Sequence, residues 1–352
     1  MTRVPPIRIP LLAALAALLC VGTYCQSNTS LDAAHTNSST TVTQDSQHLE
    51  SSIRTEMDFL ASDKLQGRGS ATHDEYLAAE YAAAQFQAMG LKPGAKDGSY
   101  LQHVPLPQTL PPLARRLLAN LDHTPRVATT NVIAILPGSD PALRNQVILL
   151  TAHLDHLGMA AEKSGDYIYH GADDDASGCI AVMELARNLA AGPAPRRTVI
   201  FALFGSEELG GLGNAGFLDH PPIPLKNIVA NLEFEMIGWP DPAIATGKLW
   251  LSGYDRSNFG ATLAQHGAPL VPDPHTRESF FQRSDNYGLA QRGIIAHTVS
   301  SFGLQPEYHT PADDISHIDF PLMTHSILAI EPPIQWLANT DWKPKWNPGG
   351  KP

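Results

Sequence analysis

Thr198-Val-Ile-Phe-Ala-Leu-Phe204 carries no charge and runs directly into Gly205-Ser-Glu-Glu-Leu-Gly-Gly211. A continuous apolar run of that length, rich in β-branched and aromatic residues and closed by glycine, predicts a strand buried on both faces of a sheet. Asn131-Val-Ile-Ala-Ile-Leu136 and Val147-Ile-Leu-Leu-Thr151 repeat the pattern, and residues 228–236 and 294–299 extend the set. Helical stretches lie between and after these strands, at 177–190, 259–266, 284–291 and 321–337. The alternation predicts an α/β fold: a single domain with a central mixed, largely parallel β-sheet flanked by helices. Its site belongs in the loops at the strand C-terminal ends.

Two helices precede the first strand. Leu49, Ile53, Met57 and Leu60 recur at helical spacing, and Thr72-x-x-Glu75 offers a capping box for a second helix that Gly90 would end. A proline-rich connection at 105–112 follows. No internal repeat and no second-domain boundary is visible, so the catalytic domain is expected over 49–341.

Outside that domain the chain changes character. Residues 1–25 place Arg3 and Arg8 before the apolar run Leu11–Leu19 and contain no acid, the order of a secretory signal, and the run is short for a membrane span. Export to a periplasmic or extracellular location is the expectation. Cys20 and Cys25 are possible lipid attachment points with little support, because Leu19 and Tyr24 stand where a small residue is expected. Residues 26–48 are rich in Ser, Thr, Asn and Gln and read as a tether, and 342–352 read as a surface tail broken by Pro and Gly. With Cys179 the only cysteine beyond the leader, a disulfide framework is excluded, and Cys179 reads as a small buried hydrophobe. Lys and Arg total 24 against 35 Asp and Glu, a formal charge of -11, which argues against nucleic acid as a partner.

The chemistry sits where the strands end. The 147–151 strand runs into Ala152-His-Leu-Asp-His156, setting His153 and Asp155 on one side of an extended chain, as suits a metal-binding imidazole oriented by a carboxylate. Gly171-Ala-Asp-Asp-Asp-Ala-Ser-Gly178 sets three adjacent carboxylates before a helix, a repulsive arrangement unless a cation or a helix N-terminus compensates. Glu207 and Glu208 follow the 198–204 strand, where one can bind a metal while the other handles a proton. Glu233 and Glu235 share a face of the 228–236 strand, and His309 lies in a turn-rich loop after the last strand. Two imidazoles and three carboxylates at successive strand ends would complete a two-metal site of nitrogen and oxygen donors, which suits zinc.

The order and wording of these motifs resemble the di-zinc aminopeptidases of metallopeptidase family M28. The resemblance runs from about Leu49 to Leu337. It covers Ala152-His-Leu-Asp-His-Leu-Gly158, Gly171-Ala-Asp-Asp-Asp-Ala-Ser-Gly178, Ser206-Glu-Glu-Leu-Gly210, Glu235-Met-Ile-Gly238, Arg283-Ser-Asp285 and Tyr308-His-Thr-Pro311. It implies two zinc ions, with His153 and Glu235 on one, Glu208 and His309 on the other, and Asp174 bridging. It also implies Glu207 as general base, Asp155 as the orienting partner of His153, and a peptide substrate cut at its N-terminus. Two positions depart from the family. Asp is usual where Glu235 stands, with Glu233 as a fallback ligand, and Phe281 is the nearest match to a tyrosine that supports the tetrahedral intermediate. No protease-associated insertion precedes the His153 strand.

Other readings stay open on the same fold: a glutaminyl cyclase with a single zinc, or a carboxypeptidase anchoring its substrate on Arg277 or Arg283. A non-catalytic binding protein is disfavoured because none of the five ligands is lost. Serine-hydrolase and thermolysin-like chemistry are excluded by the absence of G-x-S-x-G and H-E-x-x-H.

Overall fold

A computed structural model describes residues 46–122, 127–161 and 165–352. The leader, Cys20, Cys25 and nearly all of the tether lie outside the described residues. The chain divides into two units, 1–49 and 50–352; of the first only 46–49 are described, as the opening of helix α1 (46–60). Among the described residues no helix is long and apolar enough to cross a membrane.

Among the described residues of the larger unit twelve strands form two sheets. The main sheet holds β1 (Lys92–Pro93), β2 (Leu101–Pro105), β4 (Ala128–Leu136), β5 (Val147–His153), β8 (Thr198–Phe204), β9 (Ile228–Phe234), β10 (Leu249–Leu251), β11 (Leu270–Pro272) and β12 (Ile295–Ser300). Its order is β1-β4-β8-β5-β9-β12-β10-β11, with β2 also paired to β4. The four central strands, β8, β5, β9 and β12, are mutually parallel, and β4 and β10 flank them antiparallel. This is the mixed, largely parallel sheet that the sequence predicts, and β8 spans the apolar run Thr198–Phe204. Beside it, β3 (Leu121–Asp122), β6 (Gly158–Ala160) and β7 (Ile168–Tyr169) make a small second sheet.

The central strands alternate their side chains between two buried faces. Leu149 of β5 and Ile200, Ala202 and Phe204 of β8 pack with Phe217 of α5 (Leu212–Asp219) and Leu289 of α7 (Asn286–Gln291). Their neighbours point the other way: Phe201 meets Phe86 of α2 (His73–Ala88). Burying each such side chain contributes roughly 1.5–3 kcal/mol, which fixes the register and thereby the positions of the strand ends. Helices α3 (Pro112–Leu118), α4 (Gly178–Ala191), α6 (Phe259–Gln265) and α8 (Phe320–Asn339) complete the fold.

One local expectation needs correction. Thr72 caps α2 through the N–H groups of Asp74 and Glu75, but Glu75 does not complete a capping box. Its carboxylate accepts instead from Ala71 N–H, Thr129 Oγ1, Thr130 N–H and Ser206 Oγ, four buried donors whose demand outweighs one helix-end amide. Most of the tail is exposed, while Trp346 bridges to Ser257 and packs against Phe281 and His297.

Candidate metal centre

Parallel strands end on one edge of the sheet, so β5, β8, β9 and β12 deliver their trailing residues together. His153 closes β5, Glu207 and Glu208 follow β8, Glu235 follows β9, and His309 lies in the loop after β12. The chain must leave the sheet sharply to aim these groups sideways. Ser206, Met236 and His309 accordingly adopt left-handed backbone, with φ of 54°, 53° and 56°. Neighbours hold these bends in place. Ser206 Oγ donates to Glu75, and Met236 N–H donates to Asp175 while its carbonyl accepts from Ser301 N–H.

The acidic turn resolves into three carboxylates with separate duties. Asp173 accepts from Gly238 N–H, Ser177 Oγ and Gln305 Nε2, and Asp175 accepts from the N–H groups of His153, Gly178 and Met236. The N–H groups of Asp173 and Asp174 in turn donate to the buried carboxylate of Asp313. Only Asp174 is left to face the site. Gly171 permits the turn: its φ is +59°, and a Cβ there would lie 2.2 Å from the Asp174 carbonyl oxygen.

Asp174 stands between two groups of donors. Its Oδ1 lies 3.0 Å from His153 Nε2, and Glu235 completes that group. Its Oδ2 lies 3.2 Å from His309 Nε2, which is 3.2 Å from Glu208 Oε1. His156 Nδ1 joins this second group, 3.0 Å from Glu208 Oε1 and 3.7 Å from Asp174 Oδ2. Glu208 Oε1, His309 Nε2 and His156 Nδ1 are buried yet make no hydrogen bond. Unpartnered buried donors and acceptors converging within ion-pair distance are costly on their own and are satisfied by a shared cation, so the residues present fit bound zinc.

The electrostatics of the site agree. Burial alone would push the His309 imidazole down, but the carboxylates of Glu208 and Asp174 outweigh it and lift the pKa to about 10. Against its own burial penalty, Glu208 is held at about 2 by His309 and His156. Glu207 is raised well above the carboxylate range, first by burial and then by the negative charges of Asp285, Glu208 and Glu235. It lies beside the ligand groups, joins neither, and faces the pocket.

Several side chains fall elsewhere than the sequence suggests. The Asp155 carboxylate is 3.7 Å from His153 Nδ1, which hydrogen-bonds instead to the Asp155 carbonyl oxygen at 3.1 Å. The carboxylate is taken up by Glu207 N–H at 2.9 Å, Glu208 N–H at 3.3 Å and the Ser70 hydroxyl, so it orients the glutamate pair. Glu233 accepts from Asn286 N–H within the core, apart from both donor groups. Phe281 is packed with α7 in the core, and the phenol at the pocket is Tyr308, whose ring stacks on His309. Arg283 lines the pocket, whereas Arg277 is exposed. Sequence reasoning missed His156, Asp313 and Arg68. The last is a buried guanidinium donating to the carbonyls of Leu60, Leu154, His170 and Gly171, and it ties the His153 loop to the acidic turn. His156 stood inside a quoted motif and Asp313 four residues after His309, but a single imidazole or acid in a loop carries no signal of burial.

The pocket above the donor groups, about 40 Å³ in volume, has Asp174, Glu207, Glu208 and Glu235 at its floor. Met236, Trp250, Phe280, Phe302 and Tyr308 are among its walls.

The sequence profile of peptidase family M28 matches residues 131–331. Aminopeptidase YwaD of Bacillus subtilis is 28% identical over 181 residues, 49% of this chain and 37% of its own length. The chain thus spans well under half of that relative. Among solved structures, an aminopeptidase from Aneurinibacillus sp. strain AM-1 superposes with a TM-score of 0.61 at 16% identity, covering 85% of this chain and 96% of its own. A glutaminyl cyclase from Porphyromonas gingivalis gives 0.57 at 14% identity, covering 83% and 98%. At those identities the superpositions establish the shared fold.

Proposed function

The chain belongs to peptidase family M28, and we propose that it is a zinc metallo-aminopeptidase that hydrolyses the N-terminal residue from peptides. The observation that carries this reading is the pair of donor groups sharing the two oxygens of Asp174. His153 and Glu235 would hold one zinc, Glu208 and His309 the other, and Asp174 both. A shared bridging carboxylate favours two ions over the single zinc of a cyclase. When bound, the ions polarise the scissile carbonyl and lower the pKa of the attacking water.

The chain's own residues supply the rest. Glu207, half-buried and aimed into the pocket, takes the proton of the attacking water and passes it to the departing amine. Asp155 fixes its backbone. The Tyr308 phenol, pushed up by burial and by Asp174, keeps its proton and serves as a hydrogen-bond donor to the carbonyl oxygen as charge develops. The acidic floor suits the substrate's ammonium group, and the walls of Met236, Trp250, Phe280 and Phe302 suit an apolar first side chain.

Export by the leader at 1–25, to the periplasm or beyond, accompanies this reading; mass determination of the mature N-terminus tests it. For the activity, zinc-loaded enzyme is expected to release leucine or phenylalanine from aminoacyl amides and to leave N-acetylated peptides intact. Glu207→Gln is expected to lose about 10²–10⁴-fold in kcat. Equal turnover by wild type and Glu207→Gln, or cleavage of blocked peptides from the C-terminus, would sink the proposal.

A further inference from the structure

His156 is fully buried, and neither ring nitrogen makes a hydrogen bond. Its Nδ1 is 3.0 Å from Glu208 Oε1, yet the pair lacks hydrogen-bond alignment. A core histidine with nothing to bond is expensive, because both its donor and its acceptor have left water. Four donors around one zinc ion at ~2.0–2.2 Å in a tetrahedron lie roughly 3.3–3.6 Å from one another. The separations among His156 Nδ1, Glu208 Oε1, Asp174 Oδ2 and His309 Nε2 that involve an imidazole and a carboxylate are 3.0, 3.2, 3.2 and 3.7 Å. That is the spacing of a ligand shell.

The imidazole is also held in place from several sides. On the backbone, the His156 amide N–H donates to the Arg68 carbonyl oxygen and the His156 carbonyl accepts from Ser70 N–H. Gly171 lies against the ring so closely that a Cβ would come within 2.6 Å of His156 Cγ. The ring of His309 meets it edge-on at 5.6 Å. Such anchoring leaves Nδ1 aimed where Glu208 and His309 point, with no rotamer search needed on binding.

We propose that His156 is a protein ligand of the ion held by Asp174, Glu208 and His309. That position then has four protein donors while the position at His153, Asp174 and Glu235 has three. A tetrahedral shell filled by protein is the pattern of a closed site, whereas three protein ligands leave a place for water or substrate. The two positions would then differ in role: His156, Asp174, Glu208 and His309 would hold an ion that is retained and organises the site, and the three ligands at His153 would leave room for the substrate carbonyl. This assignment rests on the two-ion reading above and adds to it a specific inequality between the ions.

The test is equilibrium titration of metal-free enzyme with zinc against a chromophoric competing chelator, repeated with cobalt(II) to follow its visible absorption. Wild type is expected to bind two ions per chain with unequal affinity. His156→Ala and His156→Asn, the latter placing a weaker carbonyl donor near the Nδ1 position, are expected to weaken the tighter site at least tenfold, with the Asn variant between Ala and wild type. The other site should keep its constant, and the cobalt spectrum should change only in the bands of the tighter ion. Far-UV circular dichroism of the metal-free proteins establishes that the variants are folded. Should both variants hold two ions with wild-type constants while His309→Ala loses one, His156 is not a ligand and the two-ion reading stands. Should wild type itself bind one ion or none, the two-ion reading fails and takes this assignment with it.

Discussion

Replacing Asp155 with Asn separates two ways in which this carboxylate can act. In the structure Asp155 is fully buried and receives Glu207 N–H, Glu208 N–H and the Ser70 hydroxyl. An asparagine side chain keeps one acceptor oxygen and turns an NH₂ toward groups that are themselves donors. Losing a charge-assisted bond costs about 1.5–3 kcal/mol, and leaving a buried N–H without an acceptor costs about 1–3 kcal/mol more. Removing the charge relieves its repulsion of the Glu75 carboxylate, which offsets part of the loss. The expected net effect is roughly 2–4 kcal/mol of stability, with Glu207 displaced enough to lower kcat by about 10²-fold. The imidazole of His153 should stay put, because its Nδ1 is hydrogen-bonded to the backbone carbonyl of Asp155, which the substitution leaves intact. Urea unfolding of the metal-free protein, steady-state kinetics and elemental analysis of bound zinc measure the three quantities. If Asp155→Asn loses zinc while turnover per loaded enzyme is unchanged, the side chain orients His153 and the reasoning is wrong.

Away from the site, burial and Glu184 raise the Glu56 carboxyl to about 8, with Arg187 opposing them. Between about pH 4.5 and 8 the unfolded chain gives up this proton while the folded protein keeps it, so stability is full below that window and falls as pH rises through it, by up to a few kcal/mol. Glu56→Gln should flatten that fall in urea titrations of the metal-free protein; parallel curves for variant and wild type would refute it. Gly171→Ala sets a Cβ 2.2 Å from a backbone oxygen at φ +59°, so zinc content should drop and the melting temperature should fall, both measurable on purified protein. Because His309 is protonated near neutrality without metal, zinc binding must expel its proton. Calorimetry in buffers of different ionisation enthalpy should therefore register proton release, and none would count against His309 as a ligand. Chelation should lower the melting temperature and excess zinc restore it, each bound ion adding about 2.7 kcal/mol of stability at a hundredfold excess over its Kd; a melt indifferent to zinc would contradict the fit of the donor groups.

The sheet was legible because its centre is simple. Strand β8 lies within a layered core, so its sequence is apolar throughout and its limits coincide with the change to Gly205-Ser206-Glu207. The acidic turn was legible only as a whole. Asp173, Asp174 and Asp175 are chemically identical and adjacent, and what distinguishes them is which N–H groups the folded neighbours present: Gly238 to Asp173, His153, Gly178 and Met236 to Asp175, and none to Asp174. Those donors come from segments up to sixty-five residues away, beyond any local pattern. Asp155 was legible only in part: its carboxylate stands 3.7 Å from His153 Nδ1, as the spacing suggests, but it also accepts from the loop after β8, which no local pattern shows.

Left-handed residues stand next to the donors where the strands end. Period-two reasoning puts Glu233 and Glu235 on one face, and it holds while the backbone stays extended. Strand β9 ends at Phe234 and the chain turns left-handed at Met236, just after Glu235; Glu235 joins Asp174 and His153, while Glu233 accepts from Asn286 N–H. Ser206 is likewise left-handed, just before the Glu207 and Glu208 pair. For a residue with a side chain that conformation costs on the order of 1–2 kcal/mol, and here two strand ends and the His309 loop each carry it beside a group of the site. Local sequence preference disfavours all three bends, and at the two strand ends buried hydrogen bonds to Glu75 and Asp175 and from Ser301 N–H maintain them. A pattern read from the chain alone predicts the relaxed backbone, and it fails where surrounding contacts hold the chain away from it.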